Sequence, residues 1–225
     1  MNFFEEVWST EERGANPLTL KAEYPQRRVT TYDELIDYLD FCVQCPLHKS
    51  RTNLVPGAGP SPSNLMLIGE GPGQQEDIQG VPFVGRAGQL LTSILLSVGI
   101  RREDIYITNI VKCRPPQNRN PEEKEVLACR TYLVNQLLVL KPKIIILVGS
   151  PALKAVLDKT ISITKARGQW FFQKVPYMQE ELAIMPVFHP SYLLRNASRE
   201  VGGPKWLTWQ DMKAIKTVIE ERSLL

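Results

Sequence analysis

Histidine is almost missing from this chain of 225 residues; there are two, His48 and His189. That excludes a metal centre built mainly from imidazole and gives each ring unusual weight. Long apolar runs are missing too. None approaches the roughly 20 residues that span a bilayer, so no membrane partner is expected. The opening segment M-N-F-F-E-E-V-W-S-T-E-E is acidic, unlike a secretory leader, and points to a cytoplasmic protein. With four cysteines in a reducing compartment, a disulfide scaffold is excluded. The thiols are then ligands, nucleophiles or core residues. No large excess of charge exists: 27 Lys+Arg against 24 Asp+Glu leave +3, compatible with nucleic acid without requiring it. The Gly-Lys-Ser/Thr ending of a phosphate loop is absent, and the glycine spacing fails the dinucleotide fingerprint. No lysine stands out as a Schiff-base nucleophile.

What is present is a globular composition, 43% hydrophobic, at a length that allows one domain or at most two. Residues 1–29 show no clean period and read as an N-terminal extension to a domain over 30–225. Thr31-Tyr-Asp-Glu34 is a capping-box pattern, and Leu35, Ile36 and Leu39 follow at helical spacing toward Cys42 and Cys45. Then strands and helices alternate. Leu65–Ile68, Ile105–Val111, Ile144–Val148 and Leu182–Phe188 read as buried strands, and 168–175 as an edge strand. Helices are expected over 87–98, from an Asn120 cap with Pro121 first to about Leu140, from Ser150-Pro151, and over about 205–222. Such alternation predicts a single α/β domain with a central four-stranded parallel sheet flanked by helices.

The unusual residues fall at the carboxyl ends of those strands, where open α/β sheets form their ligand crevice. The stretch G-E-G-P-G-Q-Q-E-D-I-Q-G-V-P-F-V-G-R-A-G, 69–88, follows the first strand and holds six glycines. Glycine lets main chain approach a ligand closely. Glu70, Glu76 and Asp77 add carboxylates, and Phe83 adds a flat apolar face. Asn109 lies in an apolar strand, where an unpaired amide is costly. Its amide can donate to a carbonyl and accept from the neighbouring ring N–H of uracil, an order that cytosine reverses. His189 precedes Pro-Ser and is placed to cap a turn into a helix. His48 is expected to pack or to contact phosphate near the cysteines. Lys49, Arg51, Lys112, Arg114, Arg119, Arg195 and Arg199 are expected to form a phosphate-binding rim.

Cys42 and Cys45 are spaced C-x2-C, one helical turn apart, and Cys113 and Cys129 C-x15-C. A structural zinc on four cysteines remains open, though its second pair is usually another short knuckle. The long second spacing suits an iron–sulfur cluster held by two segments. Two buried pairs without metal are the third possibility.

Taken in order, these motifs resemble the family 4 uracil-DNA glycosylases, the iron–sulfur branch of the uracil-DNA glycosylase superfamily. The resemblance covers about residues 40–200. It rests on C-x2-C-P-L-H at Cys42, G-E-G-P-G-x-x-E-D at Gly69, P-F-V-G-R-A-G at Pro82, T-N-I-V-K-C-R-P-P at Thr108, N-R-N-P at Asn118, Cys129, and H-P-S-Y-L-L-R at His189. The resemblance implies a [4Fe–4S] cluster on Cys42, Cys45, Cys113 and Cys129. It implies that Phe83 stacks on a flipped uracil, that Asn109 reads its edge, and that His189 donates to the carbonyl beside the glycosidic nitrogen. Backbone around Glu70, Gly71 and Pro72 would hold the base and the attacking water, and Glu76 matches a catalytic motif carboxylate of open duty. Ser191, Leu193, Leu194 and Arg195 would enter the minor groove, with Leu193 or Leu194 as wedge. The expected activity is monofunctional excision of uracil from single- or double-stranded DNA by a nucleoid-associated monomer. A superfamily relative traps uracil through a histidine on an inserted loop. Here no histidine falls between Asn109 and Cys129, which favours turnover. The rivals are an iron–sulfur DNA-binding or electron-transfer module, a hydrolase using Glu70 or Glu76 with His189, and a glycosylase for another deaminated base such as hypoxanthine.

Overall fold

The computed structural model describes residues 28–157, 161–175, 178, 180–196, 198 and 200–225. Nearly all of the expected N-terminal extension lies outside them. Val29, its last residue and two before the first helix cap, is buried and donates its main-chain N–H to Asn135 Oδ1 at 3.1 Å.

The sheet has five strands: β1 Leu65–Gly69, β2 Tyr106–Asn109, β3 Ile144–Val148, β4 Phe171–Gln173 and β5 Leu182–Val187, in spatial order β2-β1-β3-β5-β4. The four expected parallel strands are present, and the edge strand expected over 168–175 joins them as a fifth. Four strands are parallel, and β4 is added antiparallel to β5 at the edge. The short β4 is half-buried, so it lacks the continuous apolar run that marks the other strands. Strand β2 is also shorter than expected, because the chain after Asn109 turns away toward the cysteines.

Alternation along the strands divides the core between two faces. Met66, Ile68, Ile145, Leu147, Leu182 and Ile184 face one cluster. Leu65, Leu67, Ile144, Ile146, Val148, Ala183, Met185 and Val187 face the other. Helices α1 Tyr32–Asp40, α2 Gln74–Gln79, α3 Arg86–Leu96, α4 Glu123–Leu140, α5 Ser150–Val156, α6 Ile163–Ala166, α7 Pro190–Arg195 and α8 Pro204–Glu221 complete the described structure. The first face is covered by α4 through Leu133, Leu137 and Leu140, and the second by α3 and α8 through Leu91, Leu95, Met212 and Ile215.

Local chemistry accounts for the helix starts. Thr31 caps α1 and forms the expected box with Glu34. The start of α4 differs from expectation: Asn120 and Pro121 precede the helix, which begins at Glu123 with Glu122 as cap. Glu125 decides this start. Its carboxylate takes the Glu122 N–H at 2.7 Å and a two-pronged Arg119 guanidinium at 2.6 and 2.8 Å. Among the described residues no helix is long and apolar enough to cross a membrane.

From β1 the chain passes to β2 on one side, then crosses back to β3 on the other. The carboxyl ends of β1 and β3 therefore flank a switch point, the usual place for a ligand crevice.

Candidate active site and cysteine cleft

Gly69 ends β1 and lies in register with Asn109, the last residue of β2. A Cβ on Gly69 would stand 2.5 Å from both Asn109 Oδ1 and Phe83 Cζ. Glycine is thus required where the amide and the ring close over the strand end. Asn109 is 2% exposed, and its Oδ1 has no hydrogen-bond partner. Such an atom costs roughly 1–3 kcal/mol of desolvation unless something supplies a donor.

Phe83 is buried and holds φ at 53°, a left-handed conformation unusual for a bulky side chain. The surroundings impose it. On one side the Glu76 carboxylate accepts Val84 N–H at 2.9 Å and Gly85 N–H at 2.8 Å through Oε1, and Gly73 N–H at 3.1 Å through Oε2. On the other, the Arg102 guanidinium donates to Phe83 O at 2.9 Å and to Pro82 O. The resemblance matches Glu76 to a catalytic motif carboxylate of open duty; here its oxygens are engaged with the loop. Sequence reading missed Arg102 altogether, since nothing around R-R-E-D marks it. It placed no helix between the first strand and residue 87, whereas Gln74–Gln79 forms α2 with Glu76 in its first turn.

His189 follows β5 and caps α7 as expected. Its Nδ1 accepts Ser191 N–H at 3.1 Å and lies 2.6 Å from Ser191 Oγ. With Nδ1 accepting, the ring proton belongs on Nε2. Burial is the main cause that pushes this imidazole down to about 4; Arg195 adds to the shift and Glu76 opposes it. The ring is therefore neutral at pH 7. It lies 5.9 Å from the Phe83 ring, centroid to centroid, at 33°. A Cβ on Gly149, at the end of β3 with φ +88°, would come within 3.0 Å of His189 Cβ. Four strand ends thus converge around Phe83, Asn109 and His189. Glu70, half-buried beside them, has its carboxyl raised by burial above the ordinary range. Gly71 and the buried Pro72 line the same turn, where a Cβ on Gly71 would press Val111 at 2.9 Å.

In α7, Leu193 is 1% exposed and packs inward, whereas Leu194 is 39% exposed. Arg195 is exposed and Ser191 is engaged by His189. The expected basic rim is reduced. Lys112 is 1% exposed, Arg51 Nη1 donates to Cys113 Sγ at 3.2 Å, and Arg119 forks onto Glu125. Arg199 lies outside the described residues. Lys49, Arg114 and Arg195 keep contact with solvent.

Cys42, Cys45, Cys113 and Cys129 line one open cleft, together with Leu39, Leu54, Lys112 and Tyr132. Cys42 follows α1 and Cys45 precedes a short 3-10 turn over Pro46–Lys49, so the pair sits in a loop, not on one helix. His48 Nδ1 bonds Cys45 O at 2.7 Å, which makes it a packing residue. All four thiols are free. Among the described residues no group of three or more His, Cys, Asp or Glu could hold a metal ion. Four thiols on one cleft are a donor set that suits an iron–sulfur group as well as a zinc ion. Burial pushes the Cys129 thiol up to about 12 and raises Cys113 and Cys45, so a bound metal would displace protons.

Comparison with known sequences places the chain among known relatives. A profile of the uracil DNA glycosylase superfamily matches residues 56–213. A type-4 uracil-DNA glycosylase of Thermotoga maritima is 45% identical over 184 residues, 80% of this chain and 90% of that one. The type-4 enzyme of Archaeoglobus fulgidus is 39% identical over 166 residues, covering 72% and 82%. That of Sulfurisphaera tokodaii is 44% identical over 160 residues, covering 69% and 72%.

Proposed function

The chain belongs to the type-4 uracil-DNA glycosylases of that superfamily, and we propose that it excises uracil from DNA by hydrolysing the N-glycosidic bond, leaving an abasic site. The observation that carries the assignment of the site is the buried, unpartnered Asn109 Oδ1 beside the Phe83 ring. It is an acceptor awaiting an N–H, next to a flat apolar face.

Deoxyuridine is turned out of the stack at a cost of a few kcal/mol. Phe83 takes one face of the base. Asn109 accepts from the ring N–H and donates to the adjacent carbonyl, so cytosine meets acceptor against acceptor and donor against donor. As the glycosidic bond breaks, negative charge gathers on uracil and positive charge on the sugar. The neutral His189 donates its Nε2–H to the carbonyl beside the departing nitrogen. One preorganised donor of this kind is worth roughly 3 kcal/mol. Glu70 faces the sugar side, where its charge opposes the oxocarbenium charge and its oxygen orients the attacking water. Main chain at Gly71 and Pro72 closes over the base. Glu76 positions Phe83 and does not itself touch the substrate. Leu194 is the wedge in place of the base, and Arg195 meets phosphate.

Cys42, Cys45, Cys113 and Cys129 would hold an iron–sulfur cluster, of the [4Fe–4S] type in this reading. When bound, such a group supplies metal–thiolate links between the loop after α1 and the start of α4, and hence folding energy. The place of action is the cytoplasm, on the nucleoid.

The test is alkali cleavage of end-labelled oligonucleotides carrying one uracil, single-stranded or opposite guanine, with thymine and hypoxanthine controls and His189→Ala alongside. Cleavage at uracil alone, reduced about 10²-fold in the variant, supports the reading. No cleavage by protein with an intact cluster spectrum would move the assignment to a binding or electron-transfer module.

A further inference from the structure

Among the described residues, Asp77, Lys112, Glu125 and Asp211 are the buried charged side chains. Asp77 accepts main-chain N–H groups of Thr52 and Asn53, Glu125 pairs with Arg119, and Asp211 with Arg167. Lys112 has no carboxylate partner among the described residues. Its Nζ lies 2.6 Å from Asn109 O, 2.7 Å from Thr108 Oγ1 and 2.7 Å from Gln136 Oε1. Thr108 uses its hydroxyl hydrogen on Pro56 O at 2.7 Å. Gln136 directs its Nε2 to Pro56 O and Tyr106 Oη, which leaves Oε1 toward the lysine. All three neighbours therefore accept, and three acceptors require three N–H bonds: the group is an ammonium.

A buried cation needs opposite charge nearby. Lys112 also lines the cysteine cleft, beside Cys113 and Cys129. Thiolates holding a metal group would supply the missing negative charge. We propose that Lys112 is a positioning residue that joins the cysteine cleft to the base reader. Its ammonium balances the thiolates of the filled cleft and, through Asn109 O, holds the main chain from which Asn109 meets uracil. The proposal rests on the reading of Asn109 given above.

The experiment compares the loaded wild type with Lys112→Met, Thr108→Val, Asn109→Ala and the Lys112→Met/Asn109→Ala pair. Excision rate, inhibition by free uracil and the reduction potential of the bound iron–sulfur group are measured. Lys112→Met should lose about tenfold in excision, the worth of roughly one hydrogen bond to a charged group. In the Asn109→Ala background it should cost nothing more. The potential should move to more negative values, because a cation beside the anionic group is gone. Thr108→Val keeps the charge and removes one acceptor, so it should weaken uracil inhibition and leave the potential unchanged. Normal excision by Lys112→Met, losses that multiply with Asn109→Ala, or an unmoved potential would overturn the proposal. Should Lys112→Met not accumulate in loaded form, Thr108→Val decides, and normal uracil inhibition in it overturns the strut. Wild type inactive on uracil, or Asn109→Ala fully active, would instead remove the functional reading beneath it.

Discussion

Replacing Glu76 by glutamine and by alanine separates two jobs that a carboxylate can do here. If Glu76 works on the reaction, its charge or proton affinity matters, and both variants fail together. If it holds the loop that presents Phe83, the number of accepting oxygens matters. Its oxygens accept three main-chain N–H groups, those of Gly73, Val84 and Gly85. Alanine loses all three. The segment is half-exposed, so water replaces part of each bond, and about 1 kcal/mol apiece gives about 3 kcal/mol, near 10²-fold. A glutamine oxygen in the place of Oε1 keeps Val84 and Gly85 and loses Gly73 and the charge. That costs about 1–1.5 kcal/mol, near tenfold. The assay is single-turnover excision from a uracil oligonucleotide at saturating enzyme, with the inhibition constant for free uracil alongside. Graded losses in both quantities, alanine worse than glutamine, are expected. A fall of about 10³-fold or more in both variants, with uracil inhibition untouched, would refute the positioning argument and return Glu76 to acid–base chemistry.

Gly69→Ala should abolish inhibition by free uracil, because its Cβ would sit 2.5 Å from Asn109 Oδ1 and Phe83 Cζ; urea unfolding should show a cost of about 1–3 kcal/mol from overpacking. Asn109→Ala should excise uracil at least about 10²-fold more slowly while unfolding at the same or a higher urea concentration, since the orphaned oxygen is removed. The His189 ring is held at about 4 against about 6.5 when unfolded. As pH falls from about 6.5 toward 4, the unfolded chain takes up a proton that the folded one refuses, so stability should decline across that window. His189→Asn should flatten that decline in urea titrations, and wild-type excision should show no step between pH 6 and 7. Chelation of the proposed cluster should lower the melting temperature and release Cys113 and Cys129 to thiol reagents; unchanged melting would remove its structural role.

The parallel strands were legible because their residues are buried on both faces and so read as unbroken apolar runs. Leu65–Gly69 and Ile144–Val148 fall where the pattern puts them. The Thr31 box and the His189 cap were legible because each is settled within four residues. What escaped depends on partners far along the chain. The helix α2 is held by Glu76 reaching residues 84 and 85. The delayed start of α4 follows from Arg119 seizing Glu125. Lys112 reads as a surface cation, since nothing local announces the acceptors that bury it. Arg102 is separated from Phe83 by 19 residues and touches only its carbonyl side, which no motif encodes.

The order of strands has a consequence for synthesis. The β2-β1-β3 portion could assemble once residue 148 is available, and it already carries Phe83 and Asn109. His189 arrives only with β5, which must seat beside β3 before β4 gains its partner. On the proposed roles, a nascent chain has the residues that grip the base before it has the one that assists cleavage.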